Sequence, residues 1–156
     1  MKKIDFSAVK TALGSAYPDP YGEPCRQRQR SRLGDAAGLT HFGVNLLRLP
    51  PGVWSSQRHW HSAEDEFVYI LEGEVVLVTD AGEEVLRAGD CAGFKAGEPN
   101  GHHLQNRTGA EAIVLEVGSR NPERDGVDYP DIDLTIPAGE RTFLHRDGKP
   151  YPPRPR

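Results

Sequence analysis

Two histidines and a glutamate have the clearest potential for chemistry in this sequence. His59 and His61 flank a single tryptophan, and Glu66 follows five residues after the second histidine. Because alternate residues of a β-strand point to the same face, both imidazoles would lie on one side of a strand. Glu66 opens an apolar segment, where a carboxylate is costly to bury unless it has a partner such as a metal ion. Nitrogen and oxygen donors in this arrangement predict a site for a divalent metal.

A third imidazole is expected from the adjacent pair His102 and His103. Neighbouring strand residues point to opposite faces, so only one of the two can face the interior. His102 shares its face with Leu104 and Asn106, and a leucine suits an apolar, core-lining face. We therefore predict His102 as the third nitrogen ligand and expect His103 to point outward, with the reverse assignment as the alternative.

Five further side chains are predicted near such a site. Gln57 lies beside the histidine pair, Leu104 would line the pocket, and Asn106 could donate an outer hydrogen bond. Lys95 could meet an anionic substrate at the mouth of the pocket, with a solvated lysine in a turn as the alternative. Arg48 could hold a phosphate group.

The composition excludes several classes of protein. The 156 residues suit one domain with a real core, and 19 basic against 23 acidic residues without a basic stripe argue against a nucleic-acid partner. The longest apolar run, residues 67–71, is far too short to cross a membrane. Cys25 and Cys91 do not make a disulfide framework, which favours a reducing cytoplasm, and Cys91 is expected to be a small buried residue.

The distribution of glycine and proline along the chain predicts an all-β fold. Seventeen glycines and thirteen prolines are scattered along it, and turn signals separate short apolar segments at intervals of about eight to twelve residues. This spacing is typical of a β-sandwich or small barrel. The predicted strands are 42–49, 53–61, 66–71, 75–79, 83–87, 90–95, 102–107 and 111–117.

The barrel is predicted to span residues 39–118. Residues 1–38 would form an irregular N-terminal arm with a short helix within 4–13, and residues 119–156 a C-terminal extension that packs on the barrel and frays at its last residues. Segments 67–71 and 75–78 are apolar at every position, so both faces of these strands need a cover. The barrel core supplies one cover, and either the arm or a second subunit supplies the other. We expect a homodimer.

These residues, once aligned by their spacing, resemble the motifs of the cupin superfamily of jelly-roll barrels. The first motif is matched by Gly52, His59, His61, Glu66 and Gly73, and the second by Gly89, Gly97, His102 and Asn106. The sequence departs from the pattern at three points. The gap from Gly52 to His59 is one residue longer than usual, Lys95 stands where the family has proline, and the gap from Gly97 to His102 is two residues longer. The last two departures leave the loop before His102 open, and with it the choice between the two histidines.

The resemblance covers residues 40–118 and implies a double-stranded β-helix with one divalent metal ion per subunit, of zinc, iron, manganese or nickel. The implied ligands are His59, His61, Glu66 and His102, often within a homodimer. Several single-domain cupins are assigned as sugar-phosphate isomerases, and this chain is similar to them in size and motif layout.

Three functions are therefore compatible with the sequence. The first is a metal-dependent enzyme acting on a small oxygenated molecule, such as a sugar-phosphate isomerase, although no side chain presents itself as the base. The second is an Fe(II)-dependent dioxygenase, which would use the same four ligands. The third is a non-catalytic module that binds or senses a small ligand.

Overall fold

The computed structural model describes residues 3–152 and shows an almost entirely β architecture. The strands are β1 Thr11–Leu13, β2 Gln29–Arg32, β3 Phe42–Leu49, β4 Trp60–His61, β5 Glu66–Glu72, β6 Glu74–Thr79, β7 Gly82–Arg87, β8 Cys91–Phe94, β9 His103–Gln105, β10 Ala112–Ser119, β11 Val127–Tyr129 and β12 Leu134–Ile136. One short α-helix, α1 (Leu33–Ala36), and two 3₁₀ turns, Phe6–Ala8 and Glu23–Cys25, complete the elements. Within residues 3–152, none of the helices has the length and apolar character needed to cross a bilayer.

Three antiparallel sheets build the barrel and its end. The largest has the strand order β1-β2-β3-β10-β5-β8, the second β7-β6-β9 and the third β12-β11-β4. Strands β3 and β5 to β10 match the predicted segments to within two residues at each end. The double-stranded β-helix fold is thus confirmed.

Buried and less buried side chains alternate along β5, and its buried residues form the core together with those of β10. Val68 and Ile70 of β5 are buried together with Val114 of β10, and they pack against buried residues of the second sheet. The full core set is Leu47, Leu49, Val53, Val68, Ile70, Val75, Leu77, Leu86, Leu104, Ala112 and Val114. Burial of these aliphatic side chains is the main source of stability for the barrel.

The opposite face of β5 is uncovered in this chain. Phe67, Tyr69 and Leu71 are exposed to 41%, 38% and 43%. Cys91, the register partner of Tyr69, is also exposed, so its expected burial is wrong. Strand β8 presents this thiol to the outer face of the sheet, because residues on the same side as Tyr69 point away from the core.

The N-terminal arm is more regular than predicted. Residues 11–13 form β1 and pair with β2, which in turn pairs with β3. The expected helix over 4–13 is wrong except for the 3₁₀ turn at 6–8. Residues 11–13 form hydrogen bonds with the free edge of β2. This pairing outweighs the weak preference of the segment for a helix. The arm therefore extends the large sheet and leaves the outer face of β5 open.

The predicted strand over 53–61 is reduced to β4. Backbone groups of residues 54 and 55 instead donate to carbonyls of Pro24 and Leu104. Two isolated bridges, at residues 54 and 59, preserve the extended course of the chain. This irregular segment carries the histidine pair along the rim of the barrel.

The C-terminal extension closes one end of the barrel. Val127 of β11 pairs with His61, and a second apolar cluster joins the extension to the arm. Its buried members are Tyr17, Cys25, Val127, Tyr129 and Leu134. Residues 150–156 are the end that is expected to fray. Within it, Pro150 forms a bridge with Leu144 and Tyr151 stacks on His145, while 153–156 lie outside the described residues.

Candidate metal centre

Backbone pairing brings the two histidine segments together. His59 and His102 form an isolated antiparallel bridge, with N–H···O distances of 3.2 and 2.8 Å in the two directions. Glu66, the first residue of β5, points into the same space. Its Oε2 lies 2.9 Å from His102 Nε2, 3.6 Å from His59 Nε2 and 3.7 Å from His61 Nε2. The four side chains named from the sequence therefore converge at one point.

The outer nitrogens of the first two imidazoles are already engaged. His59 Nδ1 lies 2.9 Å from the carbonyl of Gln57, and His61 Nδ1 lies 2.6 Å from Oδ2 of Asp125. A carbonyl and a carboxylate accept hydrogen bonds, so each Nδ1 carries the proton. Each Nε2 then presents a lone pair toward Glu66, as metal ligation requires.

Burial and charge shift the pKa values of these groups. Burial lowers the pKa of His59 to about 3, which keeps this imidazole neutral. Burial also opposes protonation of His61, but its hydrogen bond with Asp125 and the charge of Glu66 raise its pKa overall. For Glu66, burial is outweighed by the hydrogen bond from His102 and by the other imidazoles, and its pKa falls well below the usual range. The cluster thus holds an ionised carboxylate among imidazoles.

The donor set fits a divalent cation. One ligand atom each from His59, His61 and Glu66 lie within 4.8 Å of one another. His102 reaches the same carboxylate oxygen, and its buried Nδ1 has no hydrogen-bond partner among residues 3–152. Three nitrogens and one oxygen suit zinc, iron, manganese or nickel.

A second acidic group shares one of these histidines. His61, Glu64 and Asp125 also bring ligand atoms within 4.8 Å of one another. Both carboxylates accept backbone N–H groups, however, at 2.6 Å from Asn121 to Glu64 and at 2.8 Å from Ala63 to Asp125. Their oxygens therefore serve to hold loops in place, and the first group is the better metal site.

A cavity of about 620 Å³ opens beside the cluster. Tyr129 stacks on His59 with 5.7 Å between ring centroids, and Phe94 stacks on His102 at 3.5 Å. Arg30 and Glu116 contribute an ion pair to the lining. A volume of this size suits a small organic ligand with both polar and aromatic contacts.

The five predicted pocket residues have mixed outcomes. Leu104 lines the cavity, and Lys95 lines a separate space of about 50 Å³ that also touches His61 and Glu66. The other three take part in structural contacts away from the cavity lining. Asn106 donates to the carbonyls of Leu49 and Ala110, Gln57 donates to that of Tyr21, and Arg48 pairs with Glu111.

Strand parity explains why Arg48 lies away from the cavity and why His102 lies beside Glu66. Arg48 lies on the outer face of β3, because its neighbours Leu47 and Leu49 are fully buried. The parity argument selects His102 as the histidine beside Glu66, but His103 does not point outward. His103 is buried, with Nδ1 2.9 Å from the carbonyl of Ser56 and its ring edge-on to Trp54.

Four residues of the site were missed from the sequence. Asp125 and Tyr129 come from the C-terminal extension, whose sequence carries no periodicity that would place them. Glu116 did carry a signal, because it shares the inner face of β10 with the buried Val114. Arg30 lies in a polar segment that was interpreted as part of an irregular arm.

Comparison with known proteins supports the fold and the family. A family model described as "Cupin domain" matches residues 45–118, and no curated protein sequence matches the chain. The structure is similar to a crystal structure from Silicibacter pomeroyi described as a sugar phosphate isomerase from a cupin superfamily, at 45% identity and a TM-score of 0.88 over 97% of each chain.

Two other solved structures extend this comparison. A candidate sugar phosphate isomerase from Acidithiobacillus ferrooxidans is 30% identical with a TM-score of 0.70 over 82% of each chain. The polyketide cyclase RemF from Streptomyces resistomycificus is 22% identical with a TM-score of 0.60, covering 76% of this chain and 79% of that one, and shares the fold alone. Identity and coverage of this extent, together with the matching motifs, show that the chain belongs to the cupin superfamily.

Proposed function

We propose that this protein is a metal-dependent isomerase of a sugar phosphate. The observation that carries the proposal is the position of the imidazole–carboxylate cluster, which opens into a cavity lined by both charges and aromatic rings. A sugar phosphate has hydroxyl, carbonyl and phosphate oxygens that such a lining can bind. The Silicibacter pomeroyi relative, described as a sugar phosphate isomerase, supports the same substrate class.

We further propose one divalent metal ion per subunit, held by His59, His61, Glu66 and His102. When bound, such an ion supplies Lewis-acid chemistry that polarises a substrate carbonyl. The protein holds these two imidazoles with their Nε2 atoms inward, because the Gln57 carbonyl and the Asp125 carboxylate accept hydrogen bonds from the Nδ1 atoms. Elemental analysis of the double variant His59→Ala, His61→Ala should find no stoichiometric metal, and unchanged content would refute these ligands.

Glu116 is the proposed base. Isomerisation needs a group that removes a proton next to the carbonyl and returns it to the neighbouring carbon. Among the carboxylates that line the cavity, Glu66 faces the imidazoles and Glu64 binds a backbone N–H. Glu116 lies two residues along β10 from Gly118, the register partner of Glu66, and points to the same face. Its side chain is 19% exposed and can reach a ligand in the cavity.

Tyr129 would shield the reacting centre. Its ring stacks on His59 and its pKa is raised well above the usual value by burial and by the neighbouring Tyr17. The phenol therefore stays neutral, and its single O–H faces Tyr17 rather than the substrate. Exclusion of water by this ring strengthens the electrostatic contacts inside the cavity.

Proton exchange provides the direct test of this function. Protein reconstituted with manganese or zinc would be incubated with a panel of aldose and ketose phosphates in deuterated water and followed by NMR. We expect deuterium incorporation next to the carbonyl and appearance of the isomer for at least one substrate, both lost in Glu116→Gln. Absence of exchange and of isomer across the panel with fully loaded protein would refute the proposal, and oxygen uptake with Fe(II) would favour a dioxygenase instead.

A homodimer through the outer face of the large sheet is proposed as the working form. Besides Phe67, Tyr69 and Leu71, this face includes Leu115 and Leu46 in register with Tyr69. A contiguous apolar face of this kind marks an interaction site. A second copy related by a two-fold axis is the simplest cover. A cytoplasmic location stays a prediction.

A further inference from the structure

We propose that Arg30, oriented by Glu116, is the anchor for the phosphate group of the substrate in the cavity beside the metal cluster. The inference rests on the proposed function for the identity of the anion, a sugar phosphate. The binding that it predicts can be measured without turnover and without metal.

Arg30 is the cavity arginine with unused donors. Its Nη2 donates to Oε1 of Glu116 at 3.2 Å. Its Nε lies 3.0 Å from the other carboxylate oxygen, so this edge of the guanidinium faces Glu116. Nη1 makes no hydrogen bond with any residue between 3 and 152. A guanidinium carries five N–H donors, and those on the edge turned away from Glu116 are left for a ligand.

Of the other three arginines that line the cavity, two are committed to structural contacts and one is exposed. Arg28 donates to the carbonyls of Gly14 and Ser55. Arg120 binds the carbonyl of Leu39 and the carboxylate of Asp35 at the surface. Arg32 is largely exposed. The structure therefore singles out one guanidinium.

Strand geometry aims Arg30 into the cavity. It pairs with Leu47 of β3, whose side chain is fully buried, so both residues lie on the inner face of the sheet. Glu116 lies on the same face of β10, and its carboxylate fixes the plane of the guanidinium. A guanidinium held in one orientation loses little entropy when it binds a phosphate through two N–H groups.

A second guanidinium lies near Arg30. Burial is the larger cause of the lowered pKa of Arg28, and the charge of Arg30 adds to it. Glu116 and Glu66 both act on Arg30 in the opposite sense, so two guanidinium groups stand against two carboxylates in the cavity. Phosphate binding therefore depends on the free N–H groups of Arg30 rather than on a surplus of positive charge.

Phosphate binding to the metal-free protein tests the inference. Inorganic phosphate would be titrated into the full chain at pH 8, after metal removal, by isothermal calorimetry. The wild type should bind, and Arg30→Gln should weaken binding by about 10- to 100-fold, the loss expected for charge-assisted hydrogen bonds. Arg30→Lys, which keeps the charge without the planar fork, should lie between the two.

A matched pair of variants controls for folding and for general charge. Arg30→Gln combined with Glu116→Gln leaves no buried unpaired charge and should lose phosphate binding equally. The control is Arg48→Gln with Glu111→Gln, which removes an Arg–Glu pair from the outer face of the same sheet. It should leave the phosphate affinity within about twofold, as expected for distant, independent sites.

The outcomes separate this inference from the proposed function. Equal phosphate binding by wild type and the Arg30/Glu116 double variant would overturn it, as would absence of binding to the wild type at millimolar phosphate. An equal loss in the Arg48/Glu111 control would also overturn it. If phosphate binds as expected but no sugar phosphate is isomerised, the anion subsite stands and the isomerase proposal fails.

Discussion

His61 and Asp125 are joined by a contact of 2.6 Å between Nδ1 and Oδ2, although 64 residues separate them in the sequence. The other carboxylate oxygen accepts the N–H of Ala63 at 2.8 Å. The pairing of β11 with β4 places Asp125 beside His61, because Val127 is the register partner of the histidine. The C-terminal extension therefore supplies a carboxylate that fixes the tautomer and orientation of a proposed metal ligand.

Asp125→Asn should weaken metal binding without abolishing it. The amide cannot act as an ionised acceptor, and we expect a loss of about 10- to 100-fold in affinity, the range found for such outer partners. Competition with a coloured chelator would measure it. Asp133→Asn is the matched control, since that carboxylate contacts His145 outside the cluster. Equal metal affinities of the wild type and Asp125→Asn would show that this carboxylate does not support the metal site.

Substitution of the two adjacent histidines should separate their roles. His102→Ala removes the imidazole that lies 2.9 Å from Glu66 and should lower the metal content of the purified protein markedly. His103→Gln should retain stoichiometric metal, because both ring nitrogens of His103 contact other groups. Mass spectrometry under native conditions would count the bound ions. Loss of metal in the second variant alone would reverse the assignment.

Metal affinity should fall as the pH is lowered, with His61 setting the acid limit. Ligation needs an unprotonated Nε2, and the pKa of His61 is raised by Asp125 and Glu66 against the effect of burial. Below that pKa a proton competes with the metal, so affinity falls by up to about tenfold per pH unit. His59, with a pKa of about 3, stays neutral throughout the range from about pH 5 to 8 and contributes no such loss. Chelator competition across this range gives the profile, and a flat curve would contradict histidine ligation.

The spacing of turns and the alternation of apolar residues predicted an all-β barrel because both are local patterns, and the resemblance to the cupin motifs implied the four proposed ligands. Period-two alternation fixed the inner face of β5, and the His59–His61 spacing put two imidazoles on one side. The pocket was predicted less well. Arg48 was expected to hold phosphate, yet it lies on the outer face, where parity with the buried Leu47 and Leu49 could have placed it.

The missed parts depend on contacts between distant segments. Asp125 and Tyr129 reach the cluster only through the pairing of β11 with β4, which no local pattern encodes. The arm formed β1 in place of part of the expected helix and β2 in place of an irregular segment, because a strand edge was available. Arg30 faces the cavity because β2 pairs with β3 in a register that forms only in the assembled sheet.

Tyr69→Glu should convert the proposed dimer to a monomer. Tyr69 lies near the middle of the exposed apolar face and is 38% exposed in the single chain. Burial of an unpaired carboxylate at a subunit contact costs several kcal/mol, and each ~1.4 kcal/mol weakens the dimer about tenfold. Analytical ultracentrifugation would report the mass. Val85→Glu, at an exposed apolar residue of β7 on a different sheet, is the control and should leave the mass unchanged. A monomeric wild type would refute the interface.

Gly73→Ala should destabilise the fold by at least about 2 kcal/mol. Gly73 connects β5 and β6 with φ at +77°, a conformation that disfavours any side chain. A Cβ there would also lie 2.8 Å from the carbonyl oxygen of Glu111 and 3.0 Å from Cα of Ala112, so the β5–β6 turn or β10 must move. Urea unfolding followed by circular dichroism would measure the change. Gly109→Ala, where a Cβ would meet no atom within 4 Å, is the control and should shift the free energy of unfolding by less than about 0.5 kcal/mol. If the two variants unfold alike, the tight approach of this turn to β10 is not a constraint on the barrel.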